Sequence, residues 1–116
     1  MAAAFVPGRG DIVWLQSTPH AGHEQAGRRP ALVVSPREYN RRVGLALVCP
    51  ITSRVKGYPF EVALPPGLGV EGVVLADQIR SLDWRVRDAR LQGEAPSEVL
   101  DEVVARILPL VDPEER

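Results

Sequence analysis

Hydrophobic and polar positions in this 116-residue chain alternate in short runs, broken by Pro and Gly. Gly10-Asp11-Ile12-Val13-Trp14-Leu15-Gln16 predicts a first strand. Residues 17–27 then form a polar loop with Pro19 and two glycines, long for a hairpin connection. Ala31-Leu32-Val33-Val34 is apolar and rich in β-branched residues, so it predicts a second, core strand. Ser35-Pro36-Arg37-Glu38 carries the signals of a helix start: Ser as N-cap, Pro in the first turn, and Glu closing a capping box. Gly44 must stop that helix early.

The rest of the chain continues in the same style. Leu45–Ile51 reads as a third strand, with Pro50 marking a bulge or an edge. Thr52–Pro59 is a polar, basic loop. Phe60–Leu64 alternates as a fourth strand, Pro65–Gly69 turns, and Gly72–Ala76 is a fifth. Asp77-Gln78 reads as a bulge before Ile79–Leu82, and Trp84–Asp88 and Ala89–Gly93 complete the β part. After Pro96, the residues Val99, Leu100, Val103, Val104, Ile107 and Leu108 recur at helical spacing and form one apolar stripe, with Pro109 as its end. Many short strands and one terminal amphipathic helix predict a mainly β fold. It is a small, strongly bent antiparallel sheet or barrel, in a single domain spanning residues 1–116.

Composition narrows the class without naming a function. Hydrophobic content is 45% and charged content 25%, ordinary for a globular protein. No apolar run approaches the ~20 residues that span a bilayer, and the start lacks a secretory signal. The single cysteine, Cys49, lies in an apolar run and reads as packing in a reducing compartment. A cytoplasmic protein with no membrane association is the expectation. Charge is uneven. Residues 1–93 hold 12 basic and 8 acidic side chains, a net of +4, and residues 94–116 hold 2 and 7, a net of −5. A basic body suggests a polyanionic partner, and the acidic end equally fits a solvated helix face.

Few metal or nucleophile signatures are present. His20 and His23 are the only histidines, with no cysteine near them, so no metal site is expected. Phosphate-binding glycine loops and serine-hydrolase elbows are absent from the sequence. Arg29, Thr52, Glu24, Lys56 and Asp77 remain, each at a predicted strand end or in an adjoining loop. A small β fold gathers such positions on one rim. RNA carries its own nucleophile, the 2′-hydroxyl. A guanidinium to stabilise charge, a hydroxyl to hold a phosphate oxygen and a carboxylate to take a proton would suffice to cut it. From spacing alone, the same residues also suit an ordinary polar surface.

The order of motifs goes further. Gly10-Asp11-Ile12-Val13-Trp14, Glu24-Gln25-Ala26-Gly27-Arg28-Arg29-Pro30, Pro50-Ile51-Thr52, Lys56-Gly57-Tyr58-Pro59-Phe60-Glu61-Val62 and Leu75-Ala76-Asp77-Gln78 follow one another through most of the chain. In this the sequence resembles the MazF/PemK-type toxins of bacterial toxin–antitoxin modules. The resemblance implies a CcdB/PemK-type, SH3-like barrel with a short inserted helix and a C-terminal helix. It implies a homodimer that cuts single-stranded RNA (mRNA) at short specific sequences without metal or other cofactor, leaving a 2′,3′-cyclic phosphate and a 5′-hydroxyl and so inhibiting translation and growth.

On the matching motifs, Arg29, Thr52 and Glu24 are the implied catalytic residues. Gln25, Ser53, Arg54, Lys56, Asp77 and Gln78 are the implied RNA contacts. A cognate MazE-like antitoxin would lay an acidic, disordered segment over the basic groove, and operator DNA would be met only through that complex. Two departures stand out. Leu75 occupies a position where one branch of the family has Arg, and Leu15-Gln16-Ser17 lacks an aromatic after the first strand. Another reading is a non-catalytic toxin on the same barrel that poisons DNA gyrase. Such toxins use an apolar, aromatic C-terminal tip, whereas this sequence reads Leu110-Val111-Asp112-Pro113-Glu114-Glu115-Arg116 there, which is acidic and has no aromatic.

Overall fold

The computed structural model describes residues 5–17 and 27–114. The elements are β1 (Asp11–Gln16), β2 (Arg28–Val33), α1 (Arg37–Val43), β3 (Leu45–Thr52), β4 (Glu61–Ala63), β5 (Val73–Leu75), β6 (Arg80–Asp83), β7 (Arg90–Glu94) and α2 (Ser97–Val111). All pairings are antiparallel. The strands run in the order β4-β5-β3-β2-β1-β7, and β6 also pairs with β3. The result is a small, barrel-like β fold with two helices.

Alternation along the strands builds two cores, because successive side chains leave opposite faces of a sheet. Ile12, Leu32, Cys49, Ile51 and Val74 face one side, where Val99, Val103 and Ile107 of α2 cover them. Val13, Leu15, Ala31, Val33, Ala46 and Val48 face the other, with Leu82 and Trp84. The α2 stripe is narrower than its sequence pattern, since Leu108 remains 53% exposed.

Strand β3 is the hub. It pairs with β2 on one side. On the other it pairs with β6 from Leu45 to Val48 and with β5 from Ile51 to Thr52. Pro50 therefore lies neither in a bulge nor on an edge strand, but in the gap where one partner hands over to the next. A residue without an N–H is tolerated best at such a gap.

Four local expectations are corrected. Pro36, not Ser35, caps α1, and no side chain closes that cap. Ser35 Oγ instead donates to Asn40 Oδ1 and accepts from the Leu47 N–H, while Glu38 pairs with Arg41 and Arg42. Tertiary partners displace the capping box. Asp77-Gln78 belongs to a single 3₁₀ turn, Ala76–Gln78, not a bulge. Trp84–Asp88 is a turn, fixed by Asp83 Oδ1 accepting from the Arg85 and Val86 N–H groups. Pro109 lies inside α2, which runs on to Val111. That close to the helix end, few downstream bonds remain to be lost.

Candidate active site

The second strand begins three residues earlier than its apolar run, because Leu15 and Gln16 pair with Arg29 and Arg28. Both arginines are thus held on a β-ladder. The β2–β3 register runs Val33↔Val48, Leu32↔Cys49 and Ala31↔Pro50. The ladder ends there: Arg29 stays with β1 opposite Leu15 and Thr52 turns to β5 opposite Val73, so the two residues flank the point where the strands part.

The surface follows this divergence. Arg29 and Thr52 line one cleft of about 640 Å³, together with Arg28, Ser53, Arg54 and Trp14. Glu71 is the one carboxylate lining it among the described residues. An adjoining cavity of about 220 Å³ shares Thr52 and Arg54 and adds Lys56, Tyr58, Gln78 and a second carboxylate, Glu61. The combined groove carries four cationic side chains, Arg28, Arg29, Arg54 and Lys56, against the two carboxylates Glu61 and Glu71, a net positive lining that suits a phosphate-bearing ligand.

Each wall has a structural reason. The Thr52 Oγ1 accepts from the Arg54 N–H at 3.1 Å, which leaves its hydroxyl proton to donate. Gly72 stands behind Thr52 at φ +112°, so close that a Cβ there would lie 2.0 Å from the Thr52 carbonyl oxygen. The loop after β3 is tied down by Glu61, whose carboxylate accepts from the Lys56 and Gly57 N–H groups. Arg28 is buried, and its Nη2 lies 2.6 Å from Asp88 Oδ2, while Nη1 donates to the Asp88 carbonyl. Arg29 in turn donates from Nη1 to the Arg28 carbonyl at 3.0 Å. A chain of contacts therefore runs from Asp88 through Arg28 to Arg29.

Asp77 is placed differently. Its Oδ2 accepts the Tyr58 hydroxyl at 2.8 Å, and that bond pushes the Tyr58 pKa up. Its Oδ1 is buried without a partner, and Asp77 lines neither cavity. Glu24 and Gln25, like His20 and His23, lie outside the described residues. Trp14, Arg28, Glu71, Tyr58 and Glu61 join the site although the sequence alone does not single them out. Tyr58 and Glu61 sit in the motif Lys56–Val62, which is a readable signal for both. Arg28 sits beside Arg29, but its ion pair with Asp88 spans 60 positions and leaves no local trace.

Among the described residues, no group of three His, Cys, Asp or Glu side chains converges as metal ligands would. None of their helices is long and apolar enough to cross a membrane.

Comparison with known proteins agrees with this architecture. Residues 8–111 match the family described as PemK-like, MazF-like toxin of type II toxin–antitoxin system. The endoribonuclease toxin MazF of Escherichia coli K12 is 45% identical over 111 residues, covering 96% of this chain and 99% of that one. A crystal structure of MazF from Deinococcus radiodurans superposes with a TM-score of 0.84 at 60% identity, covering 93% of this chain and 98% of that one. A crystal structure of the MazE–MazF complex from the same organism gives 0.84 at 54% identity, over 93% and 97%. The chain belongs to the PemK-like, MazF-like family of type II toxin–antitoxin toxins.

Proposed function

We propose that this protein is the endoribonuclease toxin of a type II toxin–antitoxin module, cutting single-stranded RNA in the groove lined by Arg29 and Thr52. One observation supports the reading: Arg29 and Thr52 line one cleft, at the point where β2 and β3 part. In the reaction the substrate's 2′-oxygen attacks the adjacent phosphorus and the bond to the 5′-oxygen breaks. The products are a 2′,3′-cyclic phosphate and a 5′-hydroxyl. Arg29 stabilises the charge that builds on the non-bridging oxygens, and Thr52 donates to one of them. The 2′-hydroxyl proton passes to a carboxylate, and a proton is delivered to the departing 5′-oxygen. Glu24 suits the first role better than Asp77, whose carboxylate already holds Tyr58. No step in this scheme needs a metal ion.

Arg54, Lys56, Ser53 and Gln78 supply donors along the same groove, with Gln25 from the loop before β2, and would hold flanking nucleotides. The cognate antitoxin would be a MazE-like chain whose acidic segment occupies this groove. A homodimer acting in the cytoplasm, and meeting operator DNA only as the toxin–antitoxin complex, completes the proposal.

The test is cleavage of a defined single-stranded RNA in EDTA, with both product ends mapped. The parent protein should yield cyclic-phosphate and 5′-hydroxyl ends. Arg29→Ala and Thr52→Val should each lose about 10²–10³-fold in rate, while the melting temperature stays near that of the parent. Equal cleavage by parent and variants, or loss of the parent's activity on chelation, would overturn the mechanism. Inhibited DNA supercoiling without RNA fragments would favour the gyrase-poisoning reading.

A further inference from the structure

A second pocket opens on the sheet face that carries Arg29, away from α2. It holds about 150 Å³. Its floor is apolar: Leu15, Ala31, Val48 and Leu82 are each less than 8% exposed. Its rim carries three guanidiniums, Arg29, Arg80 and Arg87, and no carboxylate lines it. Arg29 and Pro30 also line the Thr52 cleft, so the two cavities share a wall.

The three arginines are not equivalent. Arg87 is engaged by structure, because its Nη1 donates to the carbonyls of Gln16 (3.2 Å) and Ser17 (2.6 Å). Arg29 belongs to the cleft already described. Arg80 is exposed on β6 opposite Val48, and among the described residues its guanidinium has no hydrogen-bond or ion-pair partner. A small apolar floor with an uncommitted planar fork of donors at its mouth suits an unpaired nucleobase. The flat ring covers the apolar floor, and the ring edge meets the fork. An apolar side chain from another protein would fill the floor and leave the guanidinium rim unanswered. A paired duplex could not enter a space of this size.

Resting on the ribonuclease reading above, we propose that this pocket receives one base of the RNA next to the scissile phosphate, and that Arg80 determines which base. The Arg fork offers donors only, so it pairs bidentately with an edge that presents two adjacent acceptors. Guanine does so with O6 and N7, and cytosine with O2 and N3. Adenine and uracil present donor and acceptor in alternation and are disfavoured.

The experiment is cleavage of a randomised single-stranded RNA pool, with the cut ends sequenced for the parent and for Arg80→Ala and Arg80→Gln. In the parent, one position beside the cut should favour guanine or cytosine by about 10- to 100-fold, the range of one good bidentate pair. Arg80→Ala should flatten that position alone. Arg80→Gln should turn it towards adenine, which an amide pairs by one donor and one acceptor. If a variant cuts too slowly to sequence, competition between uncleavable 2′-O-methyl oligonucleotides differing at that base reads the same discrimination by binding.

An unchanged base pattern in a folded Arg80→Ala overturns the inference and leaves the ribonuclease reading standing. So does a uniform loss of affinity for all sequences with a shallower salt dependence, which marks a phosphate contact. So does a pattern that stays fixed while dimerisation or antitoxin binding weakens, which would assign the pocket to a protein partner. A parent protein that cuts no RNA removes both readings together.

Discussion

Gly72→Ala tests whether the backbone behind Thr52 holds the site in place. Two separate penalties apply. At φ +112°, a side chain sits in a backbone region that L-residues rarely adopt, at about 1–2 kcal/mol. The added methyl would also meet the Thr52 carbonyl oxygen at 2.0 Å, the Thr52 carbonyl carbon at 2.7 Å and the Ser53 Cα at 2.8 Å. These are backbone atoms at the end of β3, so relief requires shifting the strand by about 1 Å or more, a strain of roughly 1–3 kcal/mol.

Gly44→Ala supplies the control. Gly44 has φ +80°, no atom within 4 Å of where a Cβ would sit, and a place at the far end of β3. It should show the conformational penalty alone. At roughly 4 °C per kcal/mol for a domain of this size, Gly44→Ala should melt about 4–8 °C below the parent and Gly72→Ala about 8–20 °C below it. A shift of 1 Å at a positioning element can cost about 10²-fold in rate. Gly72→Ala should therefore lose RNA cleavage well below its melting temperature, and Gly44→Ala should retain it. Thermal unfolding by circular dichroism and cleavage at about 20 °C, below both expected transitions, provide the two readouts. Equal melting of the two variants, with full cleavage by Gly72→Ala, would refute the contact and the positioning role built on it.

Two further outcomes follow from ionisable groups. Burial pushes the Asp88 pKa up, but hydrogen bonds from Arg28 and Arg90 outweigh it and hold the carboxyl below its usual value. Its ionised form therefore stabilises the fold above the unfolded pKa, and that contribution fades as pH falls through the lowered folded value. Asp88 is 45% exposed, so screening limits the effect to below about 1 kcal/mol. The stability gap between the parent and Asp88→Asn, from urea titrations, should be flat from about pH 5 to 7 and close below about pH 4. A gap that widens on acidification would contradict this. Cys49 is fully buried, and desolvation, aided by the charge of Asp77, pushes its thiol up to about 12. Native protein at about pH 8 should resist alkylation, and urea-unfolded protein should react at once. Rapid labelling of the native form would contradict the burial.

Sequence reading reaches the strands whose alternation is local and the residues whose motifs are contiguous. Arg29, Thr52, Ser53 and Arg54 line one cleft because two motifs end on neighbouring strands. Features set by distant partners escape it. Ser35 is captured by Asn40 and the Leu47 backbone, so a local capping pattern loses to tertiary bonds. The arginine rim of the small pocket depends on β6 pairing with β3 and on the Trp84–Asp88 turn, neither of which the spacing of Arg29, Arg80 and Arg87 reveals. The Asp83 carboxylate that nucleates that turn is a readable signal, since Asp commonly accepts from N–H groups two and three residues ahead.

The cleft also has a cause in the ladder itself. Pairing of β2 with β3 stops at Ala31↔Pro50, and the next residue of β2 is Pro30. The Val34 N–H donates to the Leu47 carbonyl, so every second residue of β2 from there faces β3, and Pro30 in that series has no N–H to give; the missing N–H of Pro50 faces the other side of β3. Beyond it β3 turns to β5 through Ile51 and Thr52, while β2 stays with β1 through Arg29 and Arg28. The strands thus diverge just before Arg29 and Thr52, and both residues line the cleft between them. A continuous ladder would have closed the space between them, and a looser loop would have let them drift. Pro30 at the fork ends the β2–β3 ladder and leaves Arg29 and Thr52 lining one cleft.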